Sequence, residues 1–86
     1  MGLDSVELLM AVEVEFALKI TDGDAEKMLR VGDMHAAILS KLRARGENPD
    51  EAEIWRRLRE LVVEQLGVRP EEVTPTARFI DDLGVD

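Results

Sequence analysis

The chain has 86 residues, which suits one small domain and leaves no room for a second. With 45% hydrophobic and 35% charged residues it is globular rather than disordered, and a chain this short buries only about 60% of its unfolded surface, so its core has to be well ordered. The lack of cysteine excludes disulfides, thiolate metal sites and a cysteine nucleophile, the single histidine His35 cannot build an imidazole metal site, and no apolar run reaches bilayer length. No signal-peptide pattern opens the chain, so the expected location is cytoplasmic.

The net charge of −8 argues against nucleic acid and anionic membrane as partners. Residues 1–29 carry seven acids and two bases, residues 30–69 seven acids and eight bases, and residues 70–86 five acids and one base. The acidity therefore lies at the two ends of the chain. If those ends meet in space, they form one negative region suited to basic protein partners.

Helix-period patterns dominate, which predicts an all-α fold. A first helix is expected over Leu3–Leu18, with Leu8, Leu9, Val12 and Phe16 on one stripe and Ser5 in the same sector. Its opposite side carries Glu7, Met10 and Val14, flanked by Leu3, Val6 and Glu13, and is unusually apolar between its acids. A short helix follows at Asp22–Met28, capped by Thr21 or Asp22. A third spans Val31–Ala44, burying Val31, Met34, Ile38 and Leu42, and Gly46 stops it. The longest helix comes next, with Asn48 as expected cap, Pro49 in its first turn and Glu51 in a capping-box position. Ile54, Trp55, Leu58, Leu61, Val62 and Leu66 form its apolar stripe, and Gly67 ends it. The connection Gly46–Pro49 implies an antiparallel hairpin of the last two helices. The remainder, from Val68 to Asp86, is expected as a long loop anchored by Val73, Phe79, Ile80 and Leu83.

Single residues have modest expected roles. Trp55 packs the longest helix, His35 is a surface histidine, and Arg56, Arg57 and Arg59 pair with Glu53 and Glu60 at helical spacing. The four methionines fill gaps in a core with few aromatics. There is no P-loop, GxGxxG, metal-ligand cluster or triad, and no carboxylate pair is marked as pushed into a pocket. The expectation is that the chain is not an enzyme.

Two segments resemble the two halves of an acyl carrier protein. Residues 3–31 contain E-L-x-M-A-x-E-x-E-F and then I-x-D-x-D-A-E-K, similar to the family's second helix, following loop and third helix. Residues 54–86 contain E-Q-L-G-V-x-P-E-E-V-T and then A-x-F-I-D-D-L-G-x-D, similar to the family's first helix and long first loop. In the usual order the second of these segments precedes the first. The resemblance thus implies an acyl-carrier-like four-helix bundle, circularly permuted to the family helix order 2-3-4-1. As one domain over 1–86, residues 3–44 supply family helices 2 to 4, 45–50 the connection, and 51–86 helix 1 and the long loop. Both a monomer that closes on itself and a domain-swapped dimer satisfy this order.

The resemblance also implies a function. Family members carry acyl groups, as in fatty acid biosynthesis, as thioesters on a 4′-phosphopantetheine arm that a transferase attaches to a serine at the start of the second helix. No metal is involved. Two registers compete for that serine. Asp4-Ser5 matches the motif itself and makes Ser5 the attachment residue. The family, however, sets its E-L pair five residues after the serine and the helix-ending phenylalanine fourteen after, and Glu7 and Phe16 stand at those distances from Gly2. On that count the acceptor serine is missing, and the chain is a permuted, engineered or fragment form of a carrier fold acting only as a protein-binding module. Partners implied are phosphopantetheinyl transferase and acyl-transfer or acyl-elongation enzymes with basic surfaces. The positions matching the family's docking face are Asp4, Glu7, Met10, Glu13, Val14, Asp81, Asp82 and Asp86, with Val14 at a place that is often acidic.

Overall fold

A helix leaves its first N–H groups without partners, so its start is decided by the nearest side chain able to accept from them. The computed structural model describes residues 5–85, in which side chains cap the starts of three helices and loop carbonyls serve that of a fourth, α3. Ser5 opens α1 (Val6–Phe16) and accepts from the Leu8 N–H at 3.4 Å. Thr21 opens α2 (Asp22–Glu26) in a reciprocal box with Asp24, each side chain accepting from the other's backbone N–H. Asp33, in the first turn of α3 (Val31–Ala44), accepts from the N–H groups of Leu29 and Arg30. Asp50 opens α4 (Glu51–Leu66) and accepts from Ala52 and Glu53. This corrects the expected cap at Asn48: the Asp50 carboxylate serves two N–H groups at once, and Pro49 precedes the helix instead of entering it.

The helix ends also have local causes. Gly67 closes α4 with a φ of 69°, the left-handed conformation that glycine adopts without steric cost. At the end of α1 the same conformation is taken by Ala17, with φ 52°, so α1 stops at Phe16 and does not run on to Leu18. The expected N-terminal bound at Leu3 lies outside the described residues.

No β-strand occurs among the described residues; Arg30 and Arg78 form one isolated antiparallel bridge. A single hydrophobic core joins α1, α3, α4 and the C-terminal segment, and Met28, just after α2, enters it. Leu8, Val12 and Phe16 line the inner side of α1, Ile54, Leu58 and Val62 that of α4. Helix α3 adds the expected residues and also Leu39. Helix α4 begins beside the middle of α3, where His35 Nε2 lies 3.0 Å from the Glu51 carbonyl oxygen and the His35 ring meets Trp55 edge-on at 5.4 Å. His35 is therefore a partly buried packing residue, not a free surface histidine. Arg56 pairs with Glu53 and Glu60 as expected, whereas Arg57 turns away from its own helix toward α1.

After a 3-10 turn at Pro70–Glu72 the chain folds back across the start of α3. Val31 N–H donates to Ala77 O (3.0 Å), Gly32 N–H to Pro75 O (2.9 Å), and Phe79 N–H to Leu29 O (3.1 Å). The loop carbonyls thereby satisfy N–H groups that α3 cannot satisfy internally. Val73, Phe79 and Leu83 enter the core as expected, joined by Ala77 and Val85. Ile80 does not: it is 37% exposed, because Phe79 beside it takes the inward direction and fills the core. The radius of gyration, 11.8 Å, is close to the ~12 Å of a chain this size folded as one unit.

Two predictions follow from this packing. A Cβ on Gly32 would lie 2.7 Å from the Pro75 carbonyl oxygen, a backbone atom that cannot swing aside. Gly32→Ala should therefore destabilise the fold by about 1–3 kcal/mol, read from urea denaturation. Asp24, hydrogen-bonded by Lys41 (2.8 Å) and then by Thr21, has its carboxyl lowered from 3.8 to about 2. A lowered folded-state value gives stability that is present above the unfolded value and fades as pH falls toward the folded one. Asp24→Asn should lower the melting temperature near neutral pH, and the difference should shrink as pH falls from about 4 to about 2.

Candidate functional site

Helix α1 buries one side and leaves the other free, and the free side holds Glu7, Met10 and Val14 of the residues singled out from the sequence. Because a helix turns every 3.6 residues, Val6, Met10 and Val14 fall in one line along it. They are 64%, 57% and 81% exposed, an apolar stripe facing solvent on a helix whose other side is fully packed. Glu7 is exposed beside it. Glu13 is partly buried, and its carboxylate accepts from the Ile20 N–H at 2.8 Å, tying the loop after α1 back onto the helix. It thus has a structural duty besides its charge.

The start of α1 brings Ser5 to the position where the hydroxyl caps the helix. The first-turn N–H groups of any helix point out of this end and favour an anion there. Gly2, Asp4 and Asp86 lie outside the described residues. Asp81 and Asp82 sit in the last turn of the C-terminal segment, held by one base: Arg78 lies 3.3 Å from Asp81 and 3.7 Å from Asp82. Asp82 also accepts from the Arg78 N–H at 2.7 Å, so it stabilises the turn that carries both acids. Leu83 and Val85, just beyond, enter the same core as Leu8 and Val12.

The far end of α1 is fixed by two arginines that sequence reading did not connect with it. Arg45, in the connection after α3, donates to the carbonyls of Phe16 (3.0 Å) and Ala17 and also pairs with Glu47. Arg57 of α4 donates to the Glu15 carbonyl at 3.0 Å, pairs with the Glu15 carboxylate, and lies over the Phe16 ring, 4.7 Å from its centre. These contacts occupy carbonyls that a helix end leaves open. Only the distance in sequence between the partners hid them.

Chemically, the face offers a hydroxyl at a helix start and an apolar stripe with acids beside it. Among the described residues there is no group of three or more histidines or carboxylates placed to hold a metal ion. No described helix is long and apolar enough to cross a membrane.

Comparison with known proteins finds similarity over part of the chain. The chain is 60% identical over 35 residues to an acyl carrier protein of Afipia carboxidovorans, a match that takes in 41% of this chain and 44% of that relative. It is 57% identical, over the same length and shares, to acyl carrier proteins of Rhodopseudomonas palustris and Nitrobacter winogradskyi. The matched stretch is thus similar to proteins named acyl carrier protein. The chain spans less than half the length of the curated relatives it matches. No family profile matches the chain, and no solved structure does.

Proposed function

We propose that the chain is an acyl carrier that bears acyl groups as thioesters on a 4′-phosphopantetheine arm attached to Ser5, and that it docks on basic partner enzymes through the outer face of α1. The observation that carries this reading is the Ser5 hydroxyl at the N-cap of α1, on a chain whose relatives are named carriers. The arm would supply the thiol on which the acyl group travels. Ser5 would supply the hydroxyl that receives it, and the start of α1 a backbone environment suited to a phosphate. A cytoplasmic setting belongs to this reading.

We read residues 1–86 as one carrier domain in rotated order. The element lengths support it: α1 with 11 residues, the short α2 with 5, α3 with 14 and α4 with 16 follow the resemblance's second, third, fourth and first helices. Support also comes from the length of the match. A comparison that keeps chain order can pair only one of two exchanged segments with an unrotated relative, and the match covers 35 residues. Val73, Ala77, Phe79, Leu83 and Val85 share one core with α1, α3 and α4, and we read the chain as a monomer.

A second reading is favoured by spacing, which sets the family's acceptor position at Gly2. On it the protein keeps the carrier fold and the docking face but receives no arm. Incubation with coenzyme A and a broad-specificity phosphopantetheinyl transferase separates the two. The expected outcome is a mass gain of one arm, lost in Ser5→Ala, with native mass spectrometry showing a single chain. An unchanged mass decides for the binding module.

Docking makes its own prediction. Because Glu13 also holds the Ile20 N–H, the cleaner change is at Glu7. Glu7→Lys should weaken transferase binding by about 1 kcal/mol at low salt and by less as ionic strength rises. Binding that ignores both salt and the substitution removes the charge-steered face.

A further inference from the structure

Four methionines occur in the chain and none of its residues is cysteine. Thioethers are therefore the softest nucleophiles it presents to a peroxide. Their settings differ sharply. Met28 and Met34 are 1% and 0% exposed within the core, whereas Met10 is 57% exposed at the centre of the outer stripe of α1. Val6 and Val14 stand one turn to either side of it, with Glu7 and Glu13 three residues away on each side.

We propose that Met10 is an oxidation site that weakens the docking face of α1 reversibly, an inference that rests on the docking reading above. In the step, a peroxide transfers one oxygen atom to the Met10 sulfur. The O–O bond breaks, an S–O bond forms, the sulfur is oxidised by two electrons, and the peroxide leaves as water or an alcohol. The product, methionine sulfoxide, replaces a flexible apolar side chain by a polar one in the middle of the stripe, and methionine sulfoxide reductases restore it. Since the Met10 side chain points away from the core, the bundle itself stays packed.

The folded protein would be treated with dilute hydrogen peroxide and read peptide by peptide, so that Met1 is scored apart. Met10 should gain oxygen at least about tenfold faster than Met28 or Met34, which react only when the fold opens. The helical circular-dichroism signal should be unchanged. Affinity for the transferase should fall about tenfold on oxidation and recover on reduction. Met10→Leu should bind normally and ignore peroxide, and Met10→Gln should bind weakly without it. Equal oxidation of all three methionines overturns the site. If the unoxidised protein binds and its oxidised form binds equally well, the switch fails while the docking reading stands. If the unoxidised protein does not bind at all, the docking reading falls and the switch with it.

Discussion

The fold depends on the crossing of the C-terminal segment over the start of α3. Helix α3 begins with N–H groups that need acceptors, and the loop at residues 74–77 has carbonyls that need donors. Their exchange at Val31 and Gly32 satisfies both. It also decides where Phe79 goes. Once Pro75 and Ala77 are bonded to α3, Phe79 falls into the core, with Val73 and Leu83 on either side in the sequence. Gly32 is what permits the approach, because any side chain there would strike the Pro75 carbonyl.

Helix α1 gains a different kind of support. Its inner side is held by the core and its end by Arg45 and Arg57, which reach it from later parts of the chain. Where a glycine usually closes such a helix, Ala17 takes a conformation alanine does not favour, with its carbonyl bonded by Arg45 and that of Glu15 by Arg57. A helix fixed along one side and at one end can leave its other side apolar and exposed without losing order. That is the property the proposed docking face needs. The same exposure makes Met10 accessible to oxidants, so one arrangement underlies both the proposed docking and its proposed interruption.

Charge acts on a smaller scale than composition suggests. The acids gathered at the two ends of the sequence do not all remain free. Glu13 and Asp82 are engaged by backbone N–H groups, and Asp24 by Lys41. Exposed ion pairs of this kind add little stability individually. Their use here is to fix loops next to helices, which leaves Glu7 as the acid best placed to meet a partner.

The sequence by itself determined the helices, because apolar residues at a 3.6-residue spacing and local caps act over a few positions. It also marked the outer stripe of Met10 and Val14, since a wheel separates the two sides of one helix without reference to anything else. Even the resemblance to carriers lay in runs of adjacent residues. What only the tertiary structure decided were the contacts between distant positions. Phe79 rather than Ile80 left in solvent would satisfy the same pattern, and only the bond from Phe79 to Leu29 chooses. Arg57 could pair along its own helix as Arg56 does, and only the position of α1 draws it to Glu15. The physical reason is common to these cases: helix periodicity is a property of neighbours in the chain, whereas the partner of a loop carbonyl or a long cation depends on which segments meet in space.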